Sequence, residues 1–165
     1  MDTDTPGLRA LAGSSLDYEL VRTKRPSTVE ESAALQGIEV GSLLRSIVVR
    51  RAADDYVFVL VAGGRQIDWP KLRAHLGVKR LSLPDEEEAK AATGYERGTI
   101  TPFGATASWP VVVDATAAGL DRVAIGGGGR GVNLHMPAPE LIAYLHADVA
   151  EVTRAAGDRP TEPRV

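Results

Sequence analysis

The 165-residue chain contains no cysteine, and this absence removes several classes of function at once. Without thiols there are no disulfides, no cysteine nucleophiles and no thiolate metal sites, so any catalysis has to use other groups. Long apolar runs are also missing, since none approaches the roughly 20 residues that a membrane-spanning helix needs. The first residues lack the basic and then apolar pattern of a signal peptide. We therefore expect a soluble, cytoplasmic protein with no membrane partner.

Positive charge is not in excess either. The formal net charge of −3 disfavours a protein that binds nucleic acid through a uniformly basic surface. Local basic clusters do occur, and they either contact a few phosphates or form a solvated face. These clusters are Arg22, Lys24 and Arg25, and further along the chain Arg45, Arg50, Arg51 and Arg65. Because His75, His135 and His146 are far apart and lack ligand spacing, we expect no metal site.

What the chain does contain indicates one globular domain. A hydrophobic fraction of 44% over this length is enough to bury a core. Residues 1–7 and 153–165 are small, polar or rich in glycine and proline, so we expect both ends to be flexible. Residues 8–152 then form a single domain, without an internal repeat or linker.

The hydrophobic pattern changes its period several times along this domain. The clearest signal is a β-hairpin with strands at 46–51 and 56–61, the second of them apolar on both faces. A capping-box pattern from Ser27 to Glu30 begins a helix at 28–36, which Gly37 ends. Further helices are predicted at 8–11, 70–76, 85–93 and 139–145, and further strands at 18–21, 111–114, 122–125 and 132–136. Helices and strands intermixed around a hairpin predict an α+β fold with a mixed, partly barrel-like sheet and flanking helices.

A loop rich in glycine and proline follows the fourth helix. The segment from Gly94 to Gly104, GYERGTITPFG, holds three glycines and one proline. Pro102 fixes its own φ, whereas Gly98 can adopt conformations closed to other residues. Such a loop either presents backbone amides to an oxyanion or is a surface connection that ends the helix. The pattern alone leaves both interpretations open.

A second glycine-rich segment, Gly126 to Gly131, lies between two predicted strands. It lacks the GK[ST] ending of a Walker loop and the helix that a dinucleotide fingerprint requires, so a nucleotide enzyme is disfavoured. The segment is either a plain hairpin or a flexible one in which Arg130 meets a phosphate or a carboxylate. Asp114, at the end of an apolar strand, either faces a cleft or caps the following turn.

Taken in order, these motifs resemble the YbaK/ProX family, the freestanding relatives of the editing domain of bacterial prolyl-tRNA synthetase. The resemblance covers roughly residues 8–149. It rests on the segments DYELVRTKRPSTVEESAALQG, LLRSIVVR, VFVLVAGGRQID, LGVKRLSL, TGYERGTITPFG, VVVD and GGGGRGVNL. It implies an aminoacyl-tRNA deacylase that needs no metal and no cofactor. The implied substrate is a tRNA(Pro) that carries a small wrong amino acid on its 3′ adenosine.

The resemblance also assigns roles to residues. The family's GxxxP loop matches Gly98 to Pro102, where the Gly98 amide would contact the substrate carbonyl and Pro102 would hold the curve. The family's Lys-[Ser/Thr]-hydrophobic pattern matches Arg45 and Ser46, with arginine in place of the usual lysine. Gly98 and Arg45 are thus the implied catalytic residues. The implied substrate-binding residues are Ser46, Thr99, Ile100, Thr101, Pro102, Asp114, Gly128, Arg130 and Gly131.

The implied partner is an aminoacyl-tRNA, bound at its 3′ CCA end. A synthetase such as prolyl-tRNA synthetase is a further candidate partner, and monomer and homodimer both stay open. Because Arg45 replaces the usual lysine, a non-catalytic module that binds a tRNA end or a synthetase is the alternative function. A small-molecule pocket unrelated to tRNA is a third interpretation, because a fold does not fix a function.

Overall fold

The structure is a computed structural model, and it describes residues 4–157. Helices and strands are intermixed along these residues, with one 3-10 turn at Val40–Ser42. The helices are α1 (Pro6–Ala12), α2 (Val29–Gln36), α3 (Trp69–Leu76), α4 (Glu86–Thr93), α5 (Ala115–Ala118) and α6 (Ala138–Leu145). The strands are β1 (Glu19–Arg22), β2 (Leu43–Ala52), β3 (Asp55–Ala62), β4 (Arg65–Ile67), β5 (Val111–Asp114), β6 (Arg122–Gly126), β7 (Val132–Pro137), β8 (Asp148–Ala150) and β9 (Thr153–Ala155). None of the helices within 4–157 has the length and apolar content to cross a membrane.

Seven strands form one sheet in the order β1-β7-β6-β2-β3-β5-β8, and β4 pairs with β9 in a second, small sheet. Strand β2 is antiparallel to β3, as β7 is to both β1 and β6. The pairs β2–β6, β3–β5 and β5–β8 are parallel. The predicted α+β fold with a mixed sheet is thereby confirmed.

The β2–β3 hairpin lies at the centre of the large sheet. Asp54 turns the chain with a φ of 56°, inside the predicted turn. Every residue of β3 after Asp55 is buried, because the sheet has a core on both faces. Phe58 packs on one face in a cluster that includes α1 and α6, whereas Val59 packs on the other face with Leu72 of α3. Each fully buried side chain of this kind stabilises the fold by about 1.5–3 kcal/mol.

Helix α2 begins one residue later than predicted. The Thr28 hydroxyl accepts a hydrogen bond from the Glu31 amide at 3.0 Å, and the Glu31 carboxylate accepts one from the Ser27 amide at 3.0 Å. The sequence STVEE contains two overlapping Ser/Thr-x-x-Glu patterns, and the protein uses the second. The predicted box from Ser27 to Glu30 is therefore wrong by one residue. The predicted helix end is confirmed by Gly37, which has a φ of 69°.

Ordered structure extends past the predicted domain boundaries at both ends. Helix α1 begins at Pro6, and the buried Thr5 hydroxyl donates to the Gly127 carbonyl at 2.6 Å. Residues 153–155, predicted as flexible tail, form β9 and pair with β4. A strand of three residues carries no periodic signal and forms because a partner strand is available. The predictions for residues 1–3 and 158–165 lie outside the described residues.

Candidate functional site

A cleft of about 640 Å³ brings together parts of the chain that are far apart in sequence. Its wall is formed by β2, the segment that leads into α2, the segment before α4, the first glycine-rich loop and the start of the second. The residues that line it include Pro26, Leu44, Arg45, Ser46, Val48, Leu83, Pro84, Ala89, Arg97, Gly98, Ile100, Gly126 and Asn133.

Strand β2 contributes an edge that is only partly covered. It pairs with β6 no further than Leu44, and its next partner on this side is Ser82, which exchanges backbone hydrogen bonds of 2.8 and 3.1 Å with Arg50. Between these two points, no strand within residues 4–157 covers the edge. The N–H and C=O groups of successive residues in a strand point to opposite neighbouring strands. Those of Leu44 and Arg50 point away from β3, so those of Ser46 and Val48 do the same and face the open edge. The cleft therefore offers main-chain donors and acceptors to a ligand.

Arg45 lies at the start of the open edge and is held by its own supporting contacts. Its Nη2 donates to the Arg65 carbonyl at 2.5 Å, and its Nε is buried with no partner among the described residues. The Arg65 side chain is fixed in turn, because its Nε donates to the Thr153 hydroxyl at 2.8 Å. One nitrogen of the Arg45 guanidinium is thus anchored, while other donors of the group remain for a ligand.

Ser46 presents a buried hydroxyl to the same cleft. This Oγ has no hydrogen-bond partner in the described part of the chain. A buried hydroxyl without a partner costs about 1–3 kcal/mol. Because Ser46 lines the cleft, a bound ligand can supply the missing partner.

We expect Ser46→Ala to raise the free energy of unfolding by up to about 1 kcal/mol, because it removes this unpaired hydroxyl. If the cleft hydrolyses the aminoacyl ester that the sequence resemblance implies, the same change should slow that hydrolysis about 10-fold, the equivalent of one lost hydrogen bond. Thr101→Val is the matched comparison for stability, since the Thr101 hydroxyl is also buried and unpaired among residues 4–157 but lies outside the cleft lining. Urea denaturation and initial rates measure both effects. A Ser46→Ala protein that is less stable and fully active would contradict this role.

The first glycine-rich loop makes a tight turn at Gly98, which has a φ of 90°. The Thr99 amide and hydroxyl both donate to the Glu96 carbonyl, at 3.0 and 2.8 Å, and close the turn. Within the described chain, the Gly98 amide itself has no acceptor. An unused amide on a fixed turn that lines a cleft is a suitable donor to an oxyanion.

The second glycine-rich loop packs against the first at two places. Arg130 Nη2 donates to the Arg97 carbonyl at 3.4 Å, and its Nη1 would lie 3.0 Å from a Cβ on Gly98. A Cβ on Gly128, which has a φ of 98°, would lie 2.9 Å from the Tyr95 ring. The Tyr95 hydroxyl donates to the Phe103 carbonyl in the same loop. Burial raises the pKa of Tyr95 to about 12, so this donor stays protonated at neutral pH. The two loops therefore form one unit.

The structure brings some of the predicted site residues to the cleft and leaves others behind it. Thr101 is fully buried beneath the loop, and Pro102 lies in a separate crevice on the other side of the loop. Thr99 closes the turn, and Gly131 packs closely against the Thr23 carbonyl. These residues support the two loops. The predicted residues that line the cleft are Arg45, Ser46, Gly98 and Ile100.

Asp114 adopts the second of its two predicted roles, as a cap. It is 1% exposed, and its Oδ2 accepts from the Thr116 amide and hydroxyl at 3.0 and 2.5 Å. Its Oδ1 accepts from the Val152 amide at 3.0 Å, and the Arg65 guanidinium lies 4.0 Å away. Burial acts to raise the pKa of Asp114, but the hydrogen bonds from Thr116 and Val152 outweigh it and hold the pKa below its ordinary value. Asp114 does not line the cleft. It lies beside Arg65, whose carbonyl accepts the hydrogen bond from Arg45, and so it supports the cleft from behind.

We expect Asp114→Asn to lower the free energy of unfolding at pH 7 by about 2–3 kcal/mol, because hydrogen bonds to a charged acceptor are lost. The folded-state pKa is below the unfolded value near 3.8, so the ionised carboxylate stabilises the fold above that pH. This stabilisation disappears as the pH falls through the folded-state pKa. Denaturation of both proteins at pH 7 and below about pH 4 measures the difference. A gap that stays constant over this range would contradict the assignment.

Metal ligands are not grouped in the part of the chain that the structure describes, where no set of three or more His, Asp or Glu side chains could hold an ion. His135 Nε2 lies 2.8 Å from the Gln36 side-chain oxygen, and burial lowers the pKa of His135. His75 lies 3.9 Å from the Asp148 carboxylate. Neither lines the cleft. The groups that the cleft presents to a ligand are main-chain amides, hydroxyls and guanidinium groups.

Several cleft residues carried no distinctive sequence signal. Asn133 donates to the Val21 and Gly131 carbonyls at 3.1 and 3.3 Å, and so ties β1 to the second loop. Leu83 is 59% exposed at the cleft although it is a large apolar residue. Arg97 could have been noticed only through its position next to Gly98. Their roles depend on contacts between segments that no local pattern reports.

Comparisons with known proteins identify relatives of this chain. The family model described as the aminoacyl-tRNA editing domain matches residues 23–144. EbsC of Enterococcus faecalis, provisionally named a Cys-tRNA(Pro)/Cys-tRNA(Cys) deacylase, is 23% identical over 137 residues, which cover 83% of this chain and 84% of EbsC. A proline–tRNA ligase of Xanthomonas oryzae pv. oryzae is 30% identical over 158 residues, which cover 92% of this chain. The chain spans only 27% of that ligase.

A solved structure shows the same fold. A crystal structure provisionally described as a trans-editing enzyme for prolyl-tRNA synthetase matches with a TM-score of 0.82 at 25% identity, over 93% of this chain and all of the other. The family match includes β2 and both glycine-rich loops, which form part of the cleft wall. The chain therefore belongs to the YbaK family of aminoacyl-tRNA editing domains.

Proposed function

We propose that the chain is a trans-editing aminoacyl-tRNA deacylase, which hydrolyses the ester between a wrong amino acid and the 3′ adenosine of a tRNA. The proposal rests on one observation: a single cleft holds both the unused amide of Gly98 and the open edge of β2 with Arg45 and Ser46. A volume of about 640 Å³ is in the range of small-molecule sites and suits an aminoacyl group with its terminal nucleoside.

In the proposed reaction, water attacks the carbonyl carbon of the ester and the carbonyl oxygen becomes an oxyanion. The Gly98 amide donates to this oxyanion, a type of contact whose loss typically costs 10²- to 10³-fold in rate. The bond to the ribose oxygen then breaks, and that oxygen takes a proton from the attacking water. The products are a free amino acid and an uncharged tRNA. We assign no side chain as general base and no metal, because an ester is activated enough for positioning to supply much of the barrier reduction.

Two residues of β2 are proposed to position the substrate. Arg45 orients the ester through the guanidinium donors that are not used by the Arg65 carbonyl. The Ser46 hydroxyl supplies a hydrogen bond to the bound substrate. The main-chain groups of the open edge and the substrate's own 2′ hydroxyl orient the attacking water.

We further propose tRNA(Pro) carrying a small wrong amino acid as the substrate. The printed name of EbsC and the similarity to proline–tRNA ligases support this choice. Val48, Ala89 and Ile100 give part of the cleft an apolar lining that suits a small side chain. Since the net charge of −3 predicts weak binding of tRNA by the chain alone, prolyl-tRNA synthetase is the proposed partner that holds the tRNA.

The test is a panel of tRNA(Pro) charged with alanine, cysteine, serine, threonine or proline, incubated with catalytic amounts of the protein. We expect one mischarged species to lose its amino acid at least about 10-fold faster than Pro-tRNA(Pro), the discrimination that roughly one methylene provides. If all five decay at their spontaneous rates, the tRNA(Pro) assignment is contradicted. The same result on a panel of other tRNAs would contradict the deacylase itself.

A second candidate function is a module that binds a tRNA end or a synthetase without hydrolysis. This function is favoured by the arginine at position 45, where the family usually has lysine. One nitrogen of the Arg45 guanidinium already donates to the Arg65 carbonyl and is not available to a substrate. A titration with a tRNA whose amino acid is joined by a stable amide measures binding without hydrolysis. Combined with the rates of ester hydrolysis, it distinguishes the two functions. Tight binding of this analogue, together with no turnover of any ester, would favour the module.

A further inference from the structure

Three segments of the chain lie side by side next to the cleft, and hydrogen bonds join each to the next. The Thr23 amide donates to the Gly131 carbonyl at 2.9 Å, which joins the segment before α2 to the second glycine-rich loop. In that loop, Arg130 donates to the Arg97 carbonyl at 3.4 Å and so reaches the first glycine-rich loop. Pro26, Arg97 and Gly98 from these segments line the cleft. The three contacting segments therefore form one continuous rim.

This rim carries four exposed cations, namely Lys24, Arg25, Arg97 and Arg130. Within residues 4–157, none of the four has a carboxylate within 4.0 Å. Two acidic residues close to these cations in sequence are engaged locally. Glu96 pairs with Lys90 at 3.5 Å, and the Glu31 carboxylate accepts from the Ser27 amide. The rim is therefore a positive surface on a protein whose formal net charge is −3.

The position of the rim relative to β2 indicates what it would bind. Strand β6 leaves β2 beside Leu44 and leads directly into the second loop, so the rim lies at the Arg45 end of the open edge. Leu83 and Pro84 follow Ser82, which marks the opposite end, about 20 Å away at the rise of an extended strand. The cations thus lie next to Gly98 and Arg45, where the ester is proposed to react.

We propose that Lys24, Arg25, Arg97 and Arg130 form a phosphate rim, which binds the sugar-phosphate backbone of the tRNA's 3′ single strand. This inference rests on the proposed function, because the ester and the phosphates of the last nucleotides are joined in one strand. Exposed ammonium and guanidinium groups form charge-assisted hydrogen bonds with phosphate oxygens. Such contacts fix the register of the strand and carry no base information, so the rim holds the backbone while the cleft holds the ester.

The rim predicts a specific salt dependence of RNA binding. Each phosphate contact on a single strand contributes about −0.7 to the slope of log K against log salt. We expect the double variant K24Q/R25Q to make the slope shallower by about 1.4 and to weaken binding at low salt about 10-fold or more. The probe is a fluorescent RNA hairpin with a single-stranded CCA end, titrated between about 50 and 200 mM salt. A probe without bases in its 3′ strand should show the same slope.

The chain offers a matched control in Lys79 and Arg80, a Lys-Arg pair in the same order that is also exposed and lies outside the cleft lining. The variant K79Q/R80Q changes the net charge by the same amount and should leave the slope at its wild-type value. Equal slopes for K24Q/R25Q and K79Q/R80Q would overturn the phosphate rim. Because binding is measured without hydrolysis, a protein that shows the predicted slopes but cleaves no ester would support the rim and contradict the deacylase.

Discussion

Gly98→Ala should slow the hydrolysis of an aminoacyl ester by about 10²- to 10³-fold, the usual cost of losing an oxyanion donor. Gly98 has a φ of 90°, which a residue with a Cβ adopts only with strain. The new Cβ would also lie 3.0 Å from Arg130 Nη1, at the flexible end of a side chain that can move aside. The backbone is therefore expected to rotate, and the amide leaves the position in which it meets the substrate carbonyl. Single-turnover rates measure the effect.

Gly77→Ala is the matched control for backbone strain. Gly77 also has a positive φ, of 68°, at the end of α3, and a Cβ there would meet open space. Both variants should lower the free energy of unfolding by a similar amount, about 1–2 kcal/mol. Only Gly98→Ala should lose activity. If both variants keep the wild-type rate, the Gly98 amide is not the oxyanion donor.

Arg45→Ala should slow hydrolysis by about 10²-fold, because the cleft loses the guanidinium that orients the ester, a loss of roughly two charge-assisted hydrogen bonds. Arg45→Lys should have an intermediate effect of about 10-fold. Lysine keeps the charge, but a compact ammonium lacks the fork that contacts the Arg65 carbonyl and the substrate together. Rates on the same mischarged tRNA, with binding measured separately, distinguish orientation of the ester from affinity.

Arg51→Ala is the control on the same strand. Arg51 also belongs to β2, but it pairs with Asp55 at 2.8 Å and lies outside the cleft lining. Its removal should leave the rate unchanged. A fully active Arg45→Ala protein would remove Arg45 from the mechanism. If the wild type is inactive and Arg45→Lys gains activity, the chain is a binding module whose catalytic cation has been replaced.

Local chemistry accounts for the parts of the fold that could be predicted from sequence. The β2–β3 hairpin has an apolar run on each side of a polar turn, and β3 reads as continuous apolar sequence because both of its faces are buried. The ends of α3 and α4 follow from Asp68, Asp85 and the glycines that close these helices. In contrast, β4, β8 and β9 have three residues each, and such strands form only where a partner edge exists.

The candidate site could be predicted only in part, for a related reason. The resemblance identified Gly98 and Arg45 by their positions in family motifs. The open edge of β2 depends on where β6 stops pairing with it, and β6 lies far along the chain. The anchoring of Arg45 depends on Arg65 and Thr153, which are brought together by the β4–β9 pair. Contacts of this kind have no local signature, so the sequence could not show that Asp114 acts behind the cleft.

The most direct test of the proposed function is single-turnover hydrolysis of tRNA(Pro) charged with alanine, cysteine, serine or threonine, with the protein in excess and Pro-tRNA(Pro) alongside. We predict that the wild-type protein hydrolyses one of the mischarged esters while Pro-tRNA(Pro) survives, and that Gly98→Ala abolishes this difference. Excess protein removes any limit from weak tRNA binding, so the result reports the cleft itself. If every mischarged ester decays at its spontaneous rate even under these conditions, the cleft does not hydrolyse them and the proposed tRNA(Pro) deacylase is contradicted.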